Sequence, residues 1–422
     1  MKMLFTKNNF ISKIKNKLFP FYKSKEIIKI FSILEKNKPN DINVAMFVGG
    51  CVRKYLKNEK IDDIDIATIF SPDQIIKKFE KENIRVIKTG SDHGTVTLLY
   101  EGKNFELTTL RKDIETDGRH AKVSFTDDWI EDSKRRDFTI NSIYMDQRGK
   151  IFDPQSGLLD LKNNHLKFIG DPSERITEDY LRIIRFIRFS IQYNCQSDLK
   201  VIESIKLNLN GIKNISKERI LSEFYKILEL KNFKSIINNK NLLDIFLLIF
   251  PEIRCLERIK KISLITENLS LKKDLLLAII VIDNSNNHEY FCHKYKVSNN
   301  TRLFLNSCAK FYEDFKKDDN FFKKNLKKKL YFNNKEIIKD FNTFIFFVNN
   351  NISYKEYKMM NLKIDNQKFN IFSYNGEYLK KKGIKEGKTM GAALKELEKY
   401  WVENDFVINS ETEENIIKKF KN

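Results

Sequence analysis

The sequence predicts an α+β protein, with an α/β head near the N-terminus and a long, all-helical remainder. Three observations carry this. Short β-prone runs and most of the glycines are confined between Asn43 and Gly170. Beyond Asp171-Pro172, apolar residues recur at three- and four-residue spacing almost to the end. Twelve of the fifteen arginines lie between Arg53 and Arg219, in a chain that otherwise favours lysine.

The 422 residues suffice for several domains and a sizeable core. With 41% apolar residues the chain is not disordered. Its net charge of +20 points to a polyanionic partner, nucleic acid or an anionic membrane face. Part of that charge follows from a composition crowded with Lys, Asn, Ile and Phe, the mix an AT-rich coding sequence gives. The same bias makes arginine informative, because arginine persists where lysine will not serve. Five scattered cysteines with no Cys-x-x-Cys pair fit a reducing cytoplasm and argue against structural zinc or disulfides. The longest apolar stretch, Leu275 to Ile282, is too short for a bilayer span, so no membrane association is expected. Met1 to Pro20 lacks the clean apolar core of a signal peptide.

In chain order, residues 1–42 read as a basic helical extension. The segment from 43 to 168 reads as a compact α/β unit. Its strands are Val44–Val48, Ile64–Ile69, Thr95–Tyr100, Phe105–Thr109 and Ile143–Asp146, and Pro72–Glu82 is one of its helices. Helices follow at 174–193, 216–230, 241–250 and 272–283, with Asp283–Asn287 as a loop. The last part carries lysine-rich pieces at Lys323–Lys329 and Lys380–Lys388.

Four constellations carry chemistry. In the first, a strand runs into Gly49-Gly50, where the backbone can approach phosphate oxygens, with Arg53 just beyond. Asp63 and Asp65 follow. On a strand they share one face, and two convergent carboxylates bind hard divalent cations, usually Mg2+, with triphosphate oxygens completing the shell. Such a pair supports two-metal nucleotidyl transfer. An Asp-x-Asp alone is more often a solvated acidic turn; the Gly-Gly and Arg before it reverse that judgement. In the second, Glu106 on a β-prone run is either a third carboxylate or an exposed strand residue, and His93 between glycines reads as a turn residue. In the third, Arg135-Arg136-Asp137 with Asn141 offers charge for phosphates and hydrogen bonds for a ribose. In the fourth, Glu178 to Phe189 reads as one helix. Arg182, Arg185 and Arg188 form a basic ridge on it, and Glu178 and Arg182 stand one turn apart. That pair is either a plain salt bridge or a base reader, a carboxylate for an exocyclic amine and an arginine for a ring acceptor.

These blocks, in this order, resemble the class II nucleotidyltransferases, the CCA-adding enzymes and bacterial poly(A) polymerases. Gly49 to Asp65, Arg135 to Ser142, Asp153-Pro154-x-x-Gly157-x-x-Asp160-Leu161, Glu178-Asp179-x-x-Arg182 and Ile215 to Ile220, with Ser216 as an N-cap, carry the likeness across about 44–230. Lys54 stands where the family usually has Asp, and Ser142 where it has Ala. The resemblance implies a nucleotidyltransferase head at 43–168, a helical neck with the base-recognition helix at 169–230, a helical body at 231–320 and a tRNA-binding tail at 321–422. It implies metal ligation and catalysis by Asp63 and Asp65; Glu106 is a candidate ligand only from its place on the β-prone run. Gly49, Gly50, Arg53, Arg136, Arg185 and Arg188 would contact the nucleotide, and Asp137 and Asn141 would face its ribose. Glu178, Asp179 and Arg182 would act as a protein template for C and then A.

The implied activity is addition of C, C and A to tRNA 3′ ends from CTP and ATP. Two stretches tilt the resemblance that way. Asp113 to His120 is similar to the flexible loop of CCA-adding enzymes, and Gly391-Ala392-Ala393-Leu394 with Leu397, Trp401 and Val402 to their C-terminus. The alternatives are a poly(A) polymerase, a split enzyme adding only CC or only A, and a non-catalytic RNA-binding protein.

Overall fold

The computed structural model describes residues 20–38, 42–117, 120–196, 198–265, 271–318, 326–368 and 371–421. The chain forms two compact units, the first ending at Pro251 and the second beginning at Glu252.

The first unit is built on a seven-stranded sheet. Its strands are β1 (Ala45–Val48), β2 (Ile64–Thr68), β3 (Arg85–Gly90), β4 (Thr95–Tyr100), β5 (Lys103–Thr109), β8 (Tyr144–Met145) and β9 (Ile151–Phe152), in the order β3-β4-β5-β2-β1-β8-β9. Only β2 and β5 pair in parallel, with Asp65 opposite Glu106; the other pairs are antiparallel. A separate hairpin joins β6 (Arg111–Asp117) to β7 (His120–Phe125). Its two strands take in the loop-like stretch Asp113 to His120, of which Gly118 and Arg119 lie outside the described residues. Five of these nine strands are the β-prone runs; β3 and β6 are broken up by charged residues, β7 shows no clean apolar alternation, and β9 is only the two residues Ile151 and Phe152.

The stretch read as a basic helical extension is helical where described, and its helix is part of the core. Helix α1 (Lys25–Leu34) buries Ile27, Ile30, Phe31 and Leu34. Phe31 and Phe21 stack on Phe47 of β1, at 4.8 and 4.9 Å. Apolar residues at i, i+3, i+4 and i+7 between the lysines give the helix its buried stripe. Residues 1–19 lie outside the described residues.

Four short helices belong to this part of the chain. Helix α2 (Gly50–Leu56) follows β1 directly, with Gly49 at φ +70, a conformation that favours glycine. Helix α3 (Pro72–Phe79) starts at a Ser71/Gln74 capping box. Helix α4 (Trp129–Lys134) is capped by Asp128 and leads into the two arginines. Helix α5 (Gly157–Asn163) is held by Asp153, which accepts from the N–H groups of Gly157 and Leu158 at 2.8 and 2.9 Å. A Cβ on Gly157 would stand 2.1 Å from the Thr139 carbonyl oxygen, so that glycine is what lets α5 close on the Arg-Arg-Asp segment.

The single helix expected over 174–193 is two helices, α6 (Pro172–Glu178) and α7 (Leu181–Tyr193). Asp179 is extended between them, at φ −154 and ψ 100, with its carboxylate accepting the Leu181 N–H at 3.1 Å. The Tyr180 ring lies against Gly211, where a Cβ would come within 1.9 Å. A capping carboxylate and a wedged aromatic ring thus override a continuous apolar periodicity. Helices α8 (Leu199–Asn208), α9 (Lys217–Leu228) and α10 (Lys240–Ile249) complete the unit, and Ser216 caps α9 as its sequence suggested.

The second unit is helical throughout its described residues, from Ile262–Ile265 to Ser410–Lys418. Lys273–Val281 is buried on every side from Leu275 to Val281, which accounts for its uninterrupted apolar run. Nearer the C-terminus, Leu379, Ile384, Ala393, Leu397 and Ile417 form one apolar cluster. Trp401, Val402 and Phe406 form another. The similarity read at Gly391 to Val402 therefore falls on a helix, Lys388–Glu403, whose inward face makes these clusters. No helix among the described residues is long and apolar enough to cross a membrane.

Candidate nucleotidyltransferase site

The end of β1, the start of β2, the Arg-Arg-Asp segment and helices α7 and α9 line a cavity of about 970 Å³ in the first unit. Twelve of the residues singled out in the sequence border it: Gly49, Gly50, Arg53, Asp63, Asp65, Arg136, Asp137, Asn141, Asp179, Arg182, Arg185 and Arg188. Glu106 and Glu178 do not line it and reach the group through neighbours.

The carboxylate side is held by backbone. Asp65 stands on β2, and its Oδ2 would lie 3.6 Å from a Cβ on Gly50 and 3.8 Å from one on Gly49. The absence of side chains there lets the turn and the carboxylate share one small space. Cys51, buried behind them, donates to the carbonyl oxygens of Val48 at 3.3 Å and Asp65 at 3.5 Å. Burial and the charge of Glu106, helped by Asp63, push the Asp65 carboxyl up to about 6, despite Arg136 and Arg53. Asp65 is thus a carboxylate in negative surroundings, which a bound cation would relieve. Two hard oxygen donors beside a glycine turn fit a divalent cation whose remaining ligands come from a substrate. Among the described residues no group of three His, Cys, Asp or Glu side chains is arranged to hold a metal ion. Glu106, exposed on the adjacent strand, therefore does not close a three-residue site with the pair in this geometry.

The arginine side is different in kind. Arg53 donates from Nε to the Tyr193 hydroxyl at 2.7 Å and from Nη1 to Asn141 Oδ1, and its guanidinium lies 4.7 Å from the Phe189 ring centroid. Asn141 donates in turn to Asp137 Oδ1 at 2.7 Å. Arg185 grips Asp137 Oδ2 from Nε at 2.8 Å and Nη2 at 2.6 Å. Burial opposes the charge on Asp137, but Arg185 and the Asn141 amide outweigh it and hold the carboxyl at about 2. Arg188 lies 4.0 Å from the Phe189 ring centroid and donates to Glu223 Oε2 at 2.7 Å.

The three candidate template residues are joined to this network. Arg182 donates to Glu178 Oε2 at 2.6 Å, so the ion pair expected within one helix forms across the break between α6 and α7. Asp179 Oδ2 accepts from Arg219 at 2.8 Å. The ridge of Arg182, Arg185 and Arg188 is therefore not a bare basic surface: each guanidinium has a carboxylate partner.

Several functional neighbours had no part in the sequence reading. Buried Glu223 on α9 serves both Arg185 and Arg188, from a position 35 residues away that no local spacing reveals. Arg175 donates to the carbonyl oxygens of Arg135 and Arg136 at 2.5 and 2.8 Å. Asp132, fully buried, receives both arginines. It lies three and four positions before them on a helix, a spacing that could have marked it.

The chain is similar to known proteins in sequence and in fold. The Poly A polymerase head domain family matches residues 45–167. The CCA-adding enzyme of Staphylococcus haemolyticus is 36% identical over 281 residues, 66% of this chain and 67% of that protein. The human mitochondrial CCA tRNA nucleotidyltransferase 1 is 40% identical over 258 residues, 60% of this chain and 59% of its own length. The zebrafish and mouse counterparts are matched over about half of their length. Among solved structures, the Bacillus stearothermophilus CCA-adding enzyme in complex with CTP superposes with a TM-score of 0.70, covering 94% of this chain and 98% of that one. At 21% identity that likeness speaks for the fold. With its head, its motifs and its fold in agreement, the chain belongs to the CCA-adding enzyme and poly(A) polymerase family of nucleotidyltransferases.

Proposed function

We propose that this protein is a CCA-adding tRNA nucleotidyltransferase, which joins C, C and A to tRNA 3′ ends from CTP and ATP without a nucleic-acid template. The observation that carries this reading is one cavity bordered both by the aspartate pair Asp63 and Asp65 and by Asp179 and Arg182, each held by its own ion pair, to Arg219 and Glu178, and able to meet a base edge. The B. stearothermophilus and Thermotoga maritima enzymes of the same fold were solved with CTP and with tRNA, respectively, which supports these substrates here.

In this reading Asp63 and Asp65 would hold divalent cations, Mg2+, which when bound would supply activation of the 3′-hydroxyl and charge for the leaving pyrophosphate. Arg53, Arg136, Arg185 and Arg188 bind phosphate, and the Gly49-Gly50 turn lets it approach the backbone. Asn141 is fixed by Arg53 on its oxygen and Asp137 on its nitrogen, so its amide is oriented before a ribose arrives. Asp179 offers acceptors and Arg182 donors to the base edge, with Glu178 holding Arg182 in place. The lysine-rich helical half grips the tRNA by shape and phosphate contacts, and its affinity falls steeply with salt. The five free cysteines fit a reducing compartment, the cytoplasm.

The test is incubation with tRNA ending at its discriminator base, Mg2+, CTP and ATP. Stepwise C, C, A is expected. Long A tracts would mark a poly(A) polymerase, and C-only or A-only products a split enzyme. If Asp63→Ala left incorporation unchanged, a non-catalytic RNA-binding role would replace this one.

A further inference from the structure

The Arg135-Arg136 pair has a single organiser. Asp132, on the short helix α4, is 0% exposed, yet both of its oxygens are filled. Oδ1 accepts from Arg135, Nε at 2.8 Å and Nη2 at 2.7 Å, and from the backbone N–H of Arg111 at 3.3 Å. Oδ2 accepts from Arg136, Nε at 3.2 Å and Nη2 at 2.8 Å, and from the Tyr144 hydroxyl at 2.7 Å. The Tyr144 oxygen in turn accepts from Arg136 Nε at 3.0 Å, beneath a guanidinium 5.2 Å from the ring centroid.

This is a closed arrangement on one side and an open one on the other. One edge of the Arg136 fork, Nε and Nη2, is consumed by Asp132 and Tyr144. Its remaining terminal nitrogen, Nη1, has no hydrogen-bond partner among the described residues, and the side chain borders the cavity beside Asp65. A planar guanidinium pinned along one edge can present only the other. Burial alone would raise the Asp132 carboxyl, but the charges of Arg136 and Arg135 and the Tyr144 hydroxyl hold it well below the usual carboxylate range. It remains ionised throughout the working pH range.

We propose that Asp132 is a positioning residue that aims the free edge of Arg136 at the triphosphate of the incoming nucleotide. This rests on the reading of Arg136 as a nucleotide contact made above. Asp132 touches no substrate; its effect passes through Arg136. Because the part of the ligand it serves is the phosphate chain, CTP and ATP must be affected alike.

The decisive measurement is the equilibrium dissociation constant of CTP and of ATP, each with Mg2+, together with a thermal melt to fix the folded fraction. Asp132→Asn is expected to weaken both nucleotides by about tenfold, and by the same factor, per folded molecule. In an Arg136→Ala background the same substitution should add less than about twofold, since the group it acts through is gone. A lowered melting temperature with unchanged affinity per folded molecule would reduce Asp132 to a structural role and overturn the proposal. So would an undiminished tenfold loss in the Arg136→Ala background, or a loss confined to one nucleotide. If Arg136→Ala itself left both affinities unchanged, the underlying nucleotide-contact reading would fall, and this one with it. If Arg136→Ala weakens binding and Asp132→Asn does not, only this inference falls. Should Asp132→Asn not fold, Tyr144→Phe removes one anchor of Arg136 without emptying the core. A rise of about threefold in both constants is then expected, and no change overturns the proposal.

Discussion

The two walls of the cavity are electrostatic opposites in a way that residue counting conceals. On the β-sheet wall stand Asp63 and Asp65, with Glu106 on the strand beside them, and burial first, then the charges of Glu106 and Asp63, push Asp65 up to about 6 against Arg136 and Arg53. On the helical wall, Arg182, Arg185, Arg188 and Arg219 each meet a carboxylate: Glu178, Asp137, Glu223 and Asp179. The first wall is left unbalanced, which the proposed function answers with a divalent cation. The second is balanced in advance, so its arginines are fixed in direction before a nucleotide enters and need little reorganisation when it does. A net charge of +20 would suggest the reverse emphasis; the surplus is lysine and lies elsewhere.

This contrast can be broken at either wall. The largest effect is expected from Asp65→Ala, which should lower nucleotide incorporation by on the order of 10³-fold, as loss of a metal ligand does, while tRNA binding in a filter assay stays within about twofold. Next comes Glu223→Gln. It leaves Arg185 and Arg188 without their shared buried carboxylate and should cost about 3 kcal/mol in a denaturant titration. An effect below about 1 kcal/mol would mean that the helical wall is not balanced through this residue.

Smaller effects should carry opposite signs on the two walls. Asp137 is held at about 2, below its usual range, so it stabilises the fold above about pH 4 and ceases to as pH falls through 2. Asp137→Asn should therefore destabilise the protein by roughly 2 kcal/mol at pH 6, with a gap that narrows toward pH 2. Asp65 is raised instead, so its ionisation costs stability as pH rises through about 6. Metal-free Asp65→Asn should be more stable than the parent by about 1–2 kcal/mol at pH 8, and no more stable below pH 4. Melting curves across pH, in a chelator and then in Mg2+, check both, and saturating Mg2+ should remove the Asp65→Asn advantage.

Much of this site could be read along the chain because its chemistry is local. Gly49-Gly50 before Asp63 and Asp65 needs only a strand, a turn and a strand. Ser216 and Asp171-Pro172 announce helix starts through their own side chains. The break between Glu178 and Leu181 was hidden for the opposite reason. Its cause is Tyr180 against Gly211, two residues far apart in sequence, while the local apolar spacing runs through it undisturbed. In the same way the packing of Lys25–Leu34 could not be read locally, because its partner Phe47 is contributed by a strand further on.

Residue identity and order by themselves determined the two-part architecture, the paired aspartates and the arginine-rich window, because glycine turns, caps and apolar periods act over a few residues. Apart from Glu178 with Arg182, four residues apart, tertiary structure decided which arginine of the helical wall meets which carboxylate. Glu223 reaches Arg188 and Arg219 reaches Asp179 only when α7 and α9 pack together, and a charge buried by that packing must find its partner there or not remain charged.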